Sequence, residues 1–445
     1  MKKPYEHTNL KEAKKMEEKK DYEIETKAIQ SGYKPKNGEP RVLPIWQSTT
    51  YKYDSSDFLG QLFDLKADGH MYSRISNPTV AAVEEKIADM EGGVGALCTS
   101  SGQAATFISI FNITKCGQNI ISMTTIYGGS TNLLAVTMKR MGIEVRFVTP
   151  DMSDEEIEKL IDGNTRAFLG ETIANPVLKV FDIERYANLA HKHGMPLIVD
   201  NTFATPVLCR PFEFGADIVI HSTTKYMDGH ATVVGGVVVD SGKFDWTAGG
   251  RYPELTTPDE SYHGVVYTES FGNKAYITKA RTQLMRDLGM TPAPISAFIL
   301  NLGLESLPLR IKRHSENALT VAKYLENSDK VAWVNYPGLE SSPDYALSQK
   351  YLPNGQSGVI SFGVKGGRAA AVKFMDSLEL AQIVVHVADA RTSVLHPAST
   401  THRQLTDEQL IDAGVSPDLI RMSIGIENVD DILADIEQAL VKSQN

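Results

Sequence analysis

The chain has 445 residues, of which 42% are hydrophobic and 22% charged, with a formal net charge of -10 at pH 7. That length allows roughly two or three domains and a large core, and the composition is that of an ordinary globular protein. The acidic balance argues against a general nucleic-acid binder, and three scattered cysteines, Cys98, Cys116 and Cys209, suggest neither a disulfide framework nor a thiolate metal site and fit a reducing, cytoplasmic setting.

In chain order, the first 27 residues are dense in charge and lack the apolar core of a signal peptide, so secretion is not expected. The stretch "GYKPKNGEPRVLPIWQSTTYKYDSSDF" is rich in Pro, Gly and Ser and has no sustained period, which reads as an extended segment laid on other structure. Residues 1–64 are therefore taken as an arm. From about residue 78, helical segments alternate with the short apolar runs "VGALCTSS", "NIISMT", "EVRFVT", "TRAFLGET", "MPLIVDNT", "DIVIHSTTK" and "GGVVVD". Strands separated by helix-length connectors predict a mainly parallel sheet with helices on both faces, so residues 65–300 form a large α/β domain.

Residues 292–328 hold a long helical stretch that Gly303 and Pro308 are expected to interrupt. Beyond it, "GVISFGVKGG", "AQIVVHVAD" and "IRMSIGIE" read as strands, with "AAAVKFMDSL" as an intervening helix. The last helix places Val429, Ile432, Leu433, Ile436 and Leu440 on one face, with Asn428 as its N-cap. Residues 301–445 form a smaller C-terminal α/β domain. No apolar run approaches the roughly 20 residues that span a bilayer, so no membrane association is expected.

Three stretches carry chemistry. "MPLIVDNTFATP" ends an apolar strand at Asp200, and "ADIVIHSTTK" ends the next just before Lys225. Residues 201–216 exceed the dozen or so that a parallel crossover needs, so both charges can meet at one sheet edge. An acid in that place can also be a simple cap, and the lysine a solvated loop residue. "LCTSSGQAATFISIF" feeds a turn into a helix. Ser101 can cap that helix, or the free amides of Gly102 and Gln103, with the positive end of the helix dipole, can receive an anion such as phosphate. Ser222 and Thr224 add hydroxyls beside the lysine. "MYSRISNPT" offers Tyr72 and Arg74 in a turn, where arginine's planar fork suits phosphate. With Tyr127 in "TTIYGGST" as an aromatic, these are the parts needed for pyridoxal phosphate (PLP): an amine for its aldehyde, a carboxylate for its pyridine nitrogen and a phosphate cradle.

The segments "SSGQAA", "YGGS", "ETIANP", "VDNTFATP", "HSTTKY", "HPASTTH" and "RMSIGIE", in this order, resemble the motifs of the Cys/Met metabolism PLP-dependent enzymes of fold type I, from about Ile24 to the C-terminus. The resemblance implies that Lys225 is the cofactor lysine and proton shuttle and Asp200 the partner of the pyridine nitrogen. It further implies that Tyr127 stacks on the ring, that Gly102, Gln103, Ser222 and Thr224 hold the phosphate, and that Tyr72 and Arg74 reach in from a neighbouring subunit of a homotetramer. Asn175 would bond the phenolic oxygen and Arg421 the substrate's α-carboxylate. Residues 242–272 resemble the insertion that marks O-acetylhomoserine sulfhydrylases, and Gly129 stands where methionine γ-lyases usually carry cysteine. His386 departs from the family's usual Ser or Asn near the carboxylate, and an unperturbed ring there would titrate between roughly pH 6 and 8.

The implied reaction is γ-replacement. Lys225 removes the α-proton of O-acetylhomoserine, a second proton leaves Cβ, acetate departs from Cγ, and sulfide or a thiol adds to give homocysteine, a step in methionine biosynthesis. The rival within the family is a lyase acting on methionine or cystathionine, or cystathionine γ-synthesis. A dinucleotide-dependent dehydrogenase is disfavoured because "GGVGALC" lacks the third glycine of that fingerprint and precedes a strand. No metal site is expected, since His396 and His402 are off the i,i+4 spacing of a helical ligand pair.

Overall fold

The computed structural model describes residues 21–400, 403 and 416–444. The arm up to residue 20 and His402 lie outside the described residues. Seven strands form the large sheet: β1 (Gly95–Thr99), β2 (Asn119–Met123), β3 (Glu144–Val148), β4 (Thr165–Glu171), β5 (Leu197–Asp200), β6 (Ile218–His221) and β7 (Gly236–Asp240). Their spatial order is β1-β7-β6-β5-β4-β2-β3. Only β7 runs antiparallel to its neighbours, β1 and β6; the other pairings are parallel. The apolar runs of the large unit became strands, and the inner ones are covered on both faces, as the unbroken burial of β2, β4, β6 and β7 shows, while the edge strand β3 is only partly buried.

The smaller sheet has five strands: β8 (Val331–Asn335), β9 (Val359–Val364), β10 (Gln382–Ile383), β11 (Ser393–Leu395) and β12 (Leu419–Ser423), ordered β10-β11-β12-β9-β8. Two of these, β8 and β11, were not expected. β8 carries the apolar run "VAWV", which the sequence reading passed over and of which only Val331 is buried, and β11 is three residues long. Conversely, "AQIVVHVAD" forms a strand only at Gln382–Ile383, and both residues of it are exposed. The last helix, Val429–Ser443, is as expected: Asn428 accepts from the Asp430 N–H at 2.8 Å, and Ile432, Ile436 and Leu440 are buried.

Gly303 and Pro308 do not interrupt the long helix, which runs unbroken over Pro294–Glu326 and so crosses from the large unit into the small one. The reason is tertiary. A Cβ at residue 303 would lie 2.5 Å from the carbonyl oxygens of both Met227 and Asp228, so the glycine lets the helix press on the loop that follows Lys225. Arg310 then donates to the Tyr226 carbonyl at 2.9 Å and to the Gly303 carbonyl at 2.7 Å. Packing of this kind outweighs the intrinsic cost of Gly and Pro within a helix. Among the described residues no helix is long and apolar enough to cross a membrane.

Candidate active site

A cavity of about 480 Å³ opens at the carboxyl ends of β4, β5 and β6, where open α/β sheets place their ligands. Ten of the expected residues line it: Gly102, Gln103, Tyr127, Asn175, Asp200, Ser222, Thr224, Lys225, His386 and Arg421. Tyr72 and Arg74 do not. They sit together on the surface, with the Arg74 guanidinium 5.1 Å from the Tyr72 ring centre and the Tyr72 backbone bridged to Thr50.

Alternation along the strands puts Glu171 and Asp200 on the cavity side and their successors, Thr172 and Asn201, on the other. Behind the sheet these successors are bonded to one another. The Thr172 hydroxyl donates to Asn201 Oδ1 at 2.8 Å, Asn201 Nδ2 donates to Glu91 Oε1 at 3.2 Å, and His221 Nε2 lies 2.5 Å from the same carboxylate. All four are buried, so one polar network holds three strand ends in register below the cavity.

On the cavity side, Thr202 links two expected residues: its hydroxyl donates to Asp200 Oδ1 at 2.5 Å and accepts from the Ser222 N–H at 2.9 Å. Burial raises the Asp200 pKa, and the hydrogen bonds from Thr202 work against it. Lys225 emerges from the turn after β6. Burial, and next the charge of Arg421, lower its pKa to about 8, so at pH 7 roughly one amine in ten is uncharged, several hundredfold more than for an ordinary lysine.

The helix Gly102–Phe111 starts at the cavity wall. Ser101 is its cap, accepting from the Ala104 N–H at 3.1 Å, while the Ser101 carbonyl takes the Ala105 N–H. The cap and the anion cradle are therefore compatible, because the Gly102 and Gln103 N–H groups belong to the first turn and have no intrahelical partner. A side chain at residue 102 would place its Cβ 2.7 Å from Ser222 Cβ, so glycine is what brings this helix end against the lysine turn. The Thr224 hydroxyl is engaged with Gly235, donating to its carbonyl at 3.1 Å and accepting its N–H at 3.0 Å.

The small sheet closes the other wall. Arg421, in the middle of β12, donates from Nη1 to Asn175 Oδ1 at 3.1 Å and from Nη2 to the Val385 carbonyl at 3.2 Å, leaving Nε buried without a partner. Burial lowers its pKa to about 10, so it stays cationic at neutral pH. The loop carrying Asn175 is pinned by the same sheet: the Ser361 hydroxyl donates to the Pro176 carbonyl at 2.6 Å, and Asn335 Nδ2 donates to the Val177 carbonyl.

His386 lines the cavity with Nε2 unpartnered, 3.8 Å from Asp389 Oδ2. Burial first, and then the nearby Lys225 ammonium, lower its pKa below the ordinary value of 6.5. This moves the expected titration window: the ring is neutral above pH 7, and it contributes a hydrogen-bonding group in place of a charge. His396 uses both ring nitrogens structurally, with Ser399 Oγ at 2.6 Å and the Pro417 carbonyl at 2.9 Å.

Residues 242–272 do not reach the cavity. Trp246, Tyr252, Tyr262 and Tyr267 are buried, Trp246 stacks on Tyr276 at 5.1 Å, and the Tyr252 hydroxyl donates to the Arg166 carbonyl at 2.7 Å, near the amino end of β4. Sequence reasoning missed Glu171, which lines the cavity next to Asp200 and whose Oε2 accepts the Tyr127 N–H at 2.8 Å. Its sequence signals were an acid at the end of the run "TRAFLGE" and its place as the first residue of "ETIANP", a segment from which only Asn175 was drawn.

Residues 25–441 match the family described as Cys/Met metabolism PLP-dependent enzyme. A homocysteine synthase of Schizosaccharomyces pombe is 48% identical over 94% of this chain and 98% of its own length. An O-acetyl-L-homoserine sulfhydrylase of Leptospira meyeri is 44% identical over 95% of this chain and 97% of its own. A Campylobacter jejuni crystal structure described as an O-acetylhomoserine (thiol)-lyase, with N'-pyridoxyl-lysine-5'-monophosphate in its chain, superposes with a TM-score of 0.91 at 37% identity, over 94% of this chain and 100% of that one. A fold-type-I architecture, a lysine and an acid at adjoining strand ends, and matches across nearly the whole chain converge: this chain belongs to the Cys/Met metabolism PLP-dependent enzyme family.

Proposed function

We propose that this chain is a PLP-dependent γ-replacement transferase that converts O-acetylhomoserine and sulfide into homocysteine and acetate. The observation that carries the reading is the convergence, in one cavity, of Lys225 with a lowered pKa, the buried Asp200 carboxyl and the half-satisfied Arg421 guanidinium. Pyridoxal phosphate, held through its aldehyde carbon by Lys225 Nζ, supplies an electron sink for charge that develops on the substrate carbons.

The chain's own residues supply binding and proton transfer. Asp200 accepts a hydrogen bond from the ring nitrogen and keeps it protonated. The Gly102 and Gln103 N–H groups and the Ser222 hydroxyl would hold the phosphate. Thr224 serves the cradle by fixing the turn through Gly235. Tyr127, about half exposed, would offer its ring to the cofactor, and Asn175, fixed by the Arg421 guanidinium, would meet the phenolic oxygen. Arg421 takes the substrate carboxylate, with the neutral His386 beside it. Lys225, whose amine is lowered to a pKa of about 8 in the same cavity, would take the substrate's α-proton and return it. Acetate leaves Cγ readily because it is a weak base.

Identifying the products from O-acetylhomoserine and sulfide tests this proposal. Homocysteine and acetate in equal amounts are expected. 2-Oxobutyrate from methionine as the dominant activity would replace the synthase reading with the lyase one.

The proposal extends to a homotetramer in the cytoplasm, in which Tyr72 and Arg74 complete a neighbour's phosphate site. Its support is that both residues lie outside their own chain's cavity, on a segment exposing Ile45, Trp46, Phe58 and Phe63. Mixing inactive Arg74→Ala with inactive Lys225→Ala protein is expected to restore part of the activity, because mixed oligomers contain some intact sites. Mixed oligomers that regain nothing would place each site within one chain.

A further inference from the structure

Glu171 ends β4 directly beside Asp200, which ends β5; the two are Cα partners in the parallel register, so their carboxyl groups emerge on the same face. Glu171 is buried and Asp200 half-buried in the cavity wall. Asp200 is held from its own side by Thr202. Glu171 reaches the other way, accepting the Tyr127 N–H at 2.8 Å and a hydrogen bond from the Asn175 backbone. One carboxyl group thus joins the loop after β2 to the loop after β4, the two loops that carry the proposed ring-stacking tyrosine and the proposed phenolate partner.

Among the described residues no cation balances Glu171. It also borders a second, smaller cavity of about 210 Å³ that contains Lys179 and Arg185, but Lys179 Nζ is 3.2 Å from Asp344 and Arg185 is 2.8 Å from Asp154. Two buried carboxylates on adjacent strand ends, with no cation for the second, cannot both be charged cheaply. The two N–H donors favour a charged Glu171, yet burial and the neighbouring Asp200 outweigh them and raise its pKa well above the ordinary carboxyl value.

We infer that Glu171 is a positioning residue that acts as an uncharged carboxylic acid, fastening Tyr127 and Asn175 around Asp200 so that Asp200 alone carries the negative charge at the ring nitrogen. The inference rests on the functional reading above, and it adds a residue whose task needs an acceptor oxygen and forbids a charge.

Glutamine keeps the size and a carbonyl acceptor without a charge, whereas alanine removes the acceptor and leaves buried N–H groups unpaired. The measurement is titration of the protein, freed of cofactor, with pyridoxal phosphate, followed by absorbance, alongside the Tm of each variant. E171Q is expected to bind within about threefold of the parent and E171A about tenfold or more weakly, the loss that unpaired buried donors bring. E171Q as weak as E171A, both with the parent's Tm, would overturn the inference by showing that the charge is needed. An infrared difference spectrum of the parent against E171Q reads the protonation directly, even if E171A does not fold. A protonated carboxylic acid band present in the parent and missing from E171Q is expected, and a parent without that band overturns the inference. A parent that binds no pyridoxal phosphate at all would instead sink the functional reading, so the two failures are told apart.

Discussion

Lys225→Ala is expected to yield a folded protein that holds no cofactor covalently and forms homocysteine roughly 10³-fold more slowly or not at all, the scale on which a proton-transfer group contributes. Among the described residues Lys225 is the one lysine that lines the cavity. Lys279 has a comparably lowered pKa of about 8, but its amine donates to the Asn112 carbonyl at 3.1 Å and it is not part of the cavity wall. The check is borohydride reduction followed by the intact mass: the parent should gain the pyridoxyl group and the variant should not. A reducible chromophore in Lys225→Ala would remove the residue from its role. The same environment gives a pH dependence with a definite sign. Because the neutral amine is the reactive form and its pKa is lowered to about 8, covalent attachment of the cofactor should accelerate as pH rises through about 8 and then level off.

Arg421→Ala should lower kcat/KM by about 10²-fold, or roughly 3 kcal/mol, as expected when one side of a buried carboxylate pair is removed. The guanidinium is already half committed, to Asn175 Oδ1 and the Val385 carbonyl, with Nε buried and unpartnered. That geometry leaves one edge of the fork for a carboxylate and holds it fixed. Arg421→Lys should recover only part of the loss, because an ammonium lacks the planar fork that presents parallel N–H groups to a carboxylate while also holding Asn175 and the Val385 carbonyl. The effect should fall mainly on KM for O-acetylhomoserine and leave the absorbance of the bound cofactor in place. Unaltered steady-state kinetics in Arg421→Ala would remove it from the substrate site.

The most legible parts of this protein were those encoded locally. Apolar runs such as "NIISM" and "IVIH" could only be buried strands, and the helix-length spacers between them made the sheet mainly parallel. A parallel strand delivers whatever follows it to one edge, so Asp200 and Lys225 could be brought together from their spacing alone. The N-caps at Ser101 and Asn428 were equally local, each a side chain meeting an amide two or three residues away.

What escaped depended on partners distant in the chain. Asn175 and Arg421 are 246 positions apart, and their contact exists only because the small sheet docks on the large one. The long helix survives its glycine and proline because the loop after Lys225 packs against it, a compensation that propensity cannot express. β8, although it reads "VAWV", is mostly half-buried and owes its place as a strand to antiparallel pairing with β9. Charge states belonged wholly to the tertiary structure: the neutral His386 and the raised Glu171 follow from desolvation and from neighbours that the fold supplies, Lys225 for one and Asp200 for the other. The sequence by itself determined which groups reach the edge of the sheet, because the alternation and direction of strands are local properties. Only the tertiary structure decided which of those groups carry charge and which hold the others in place, because burial and pairing are properties of the whole packed chain.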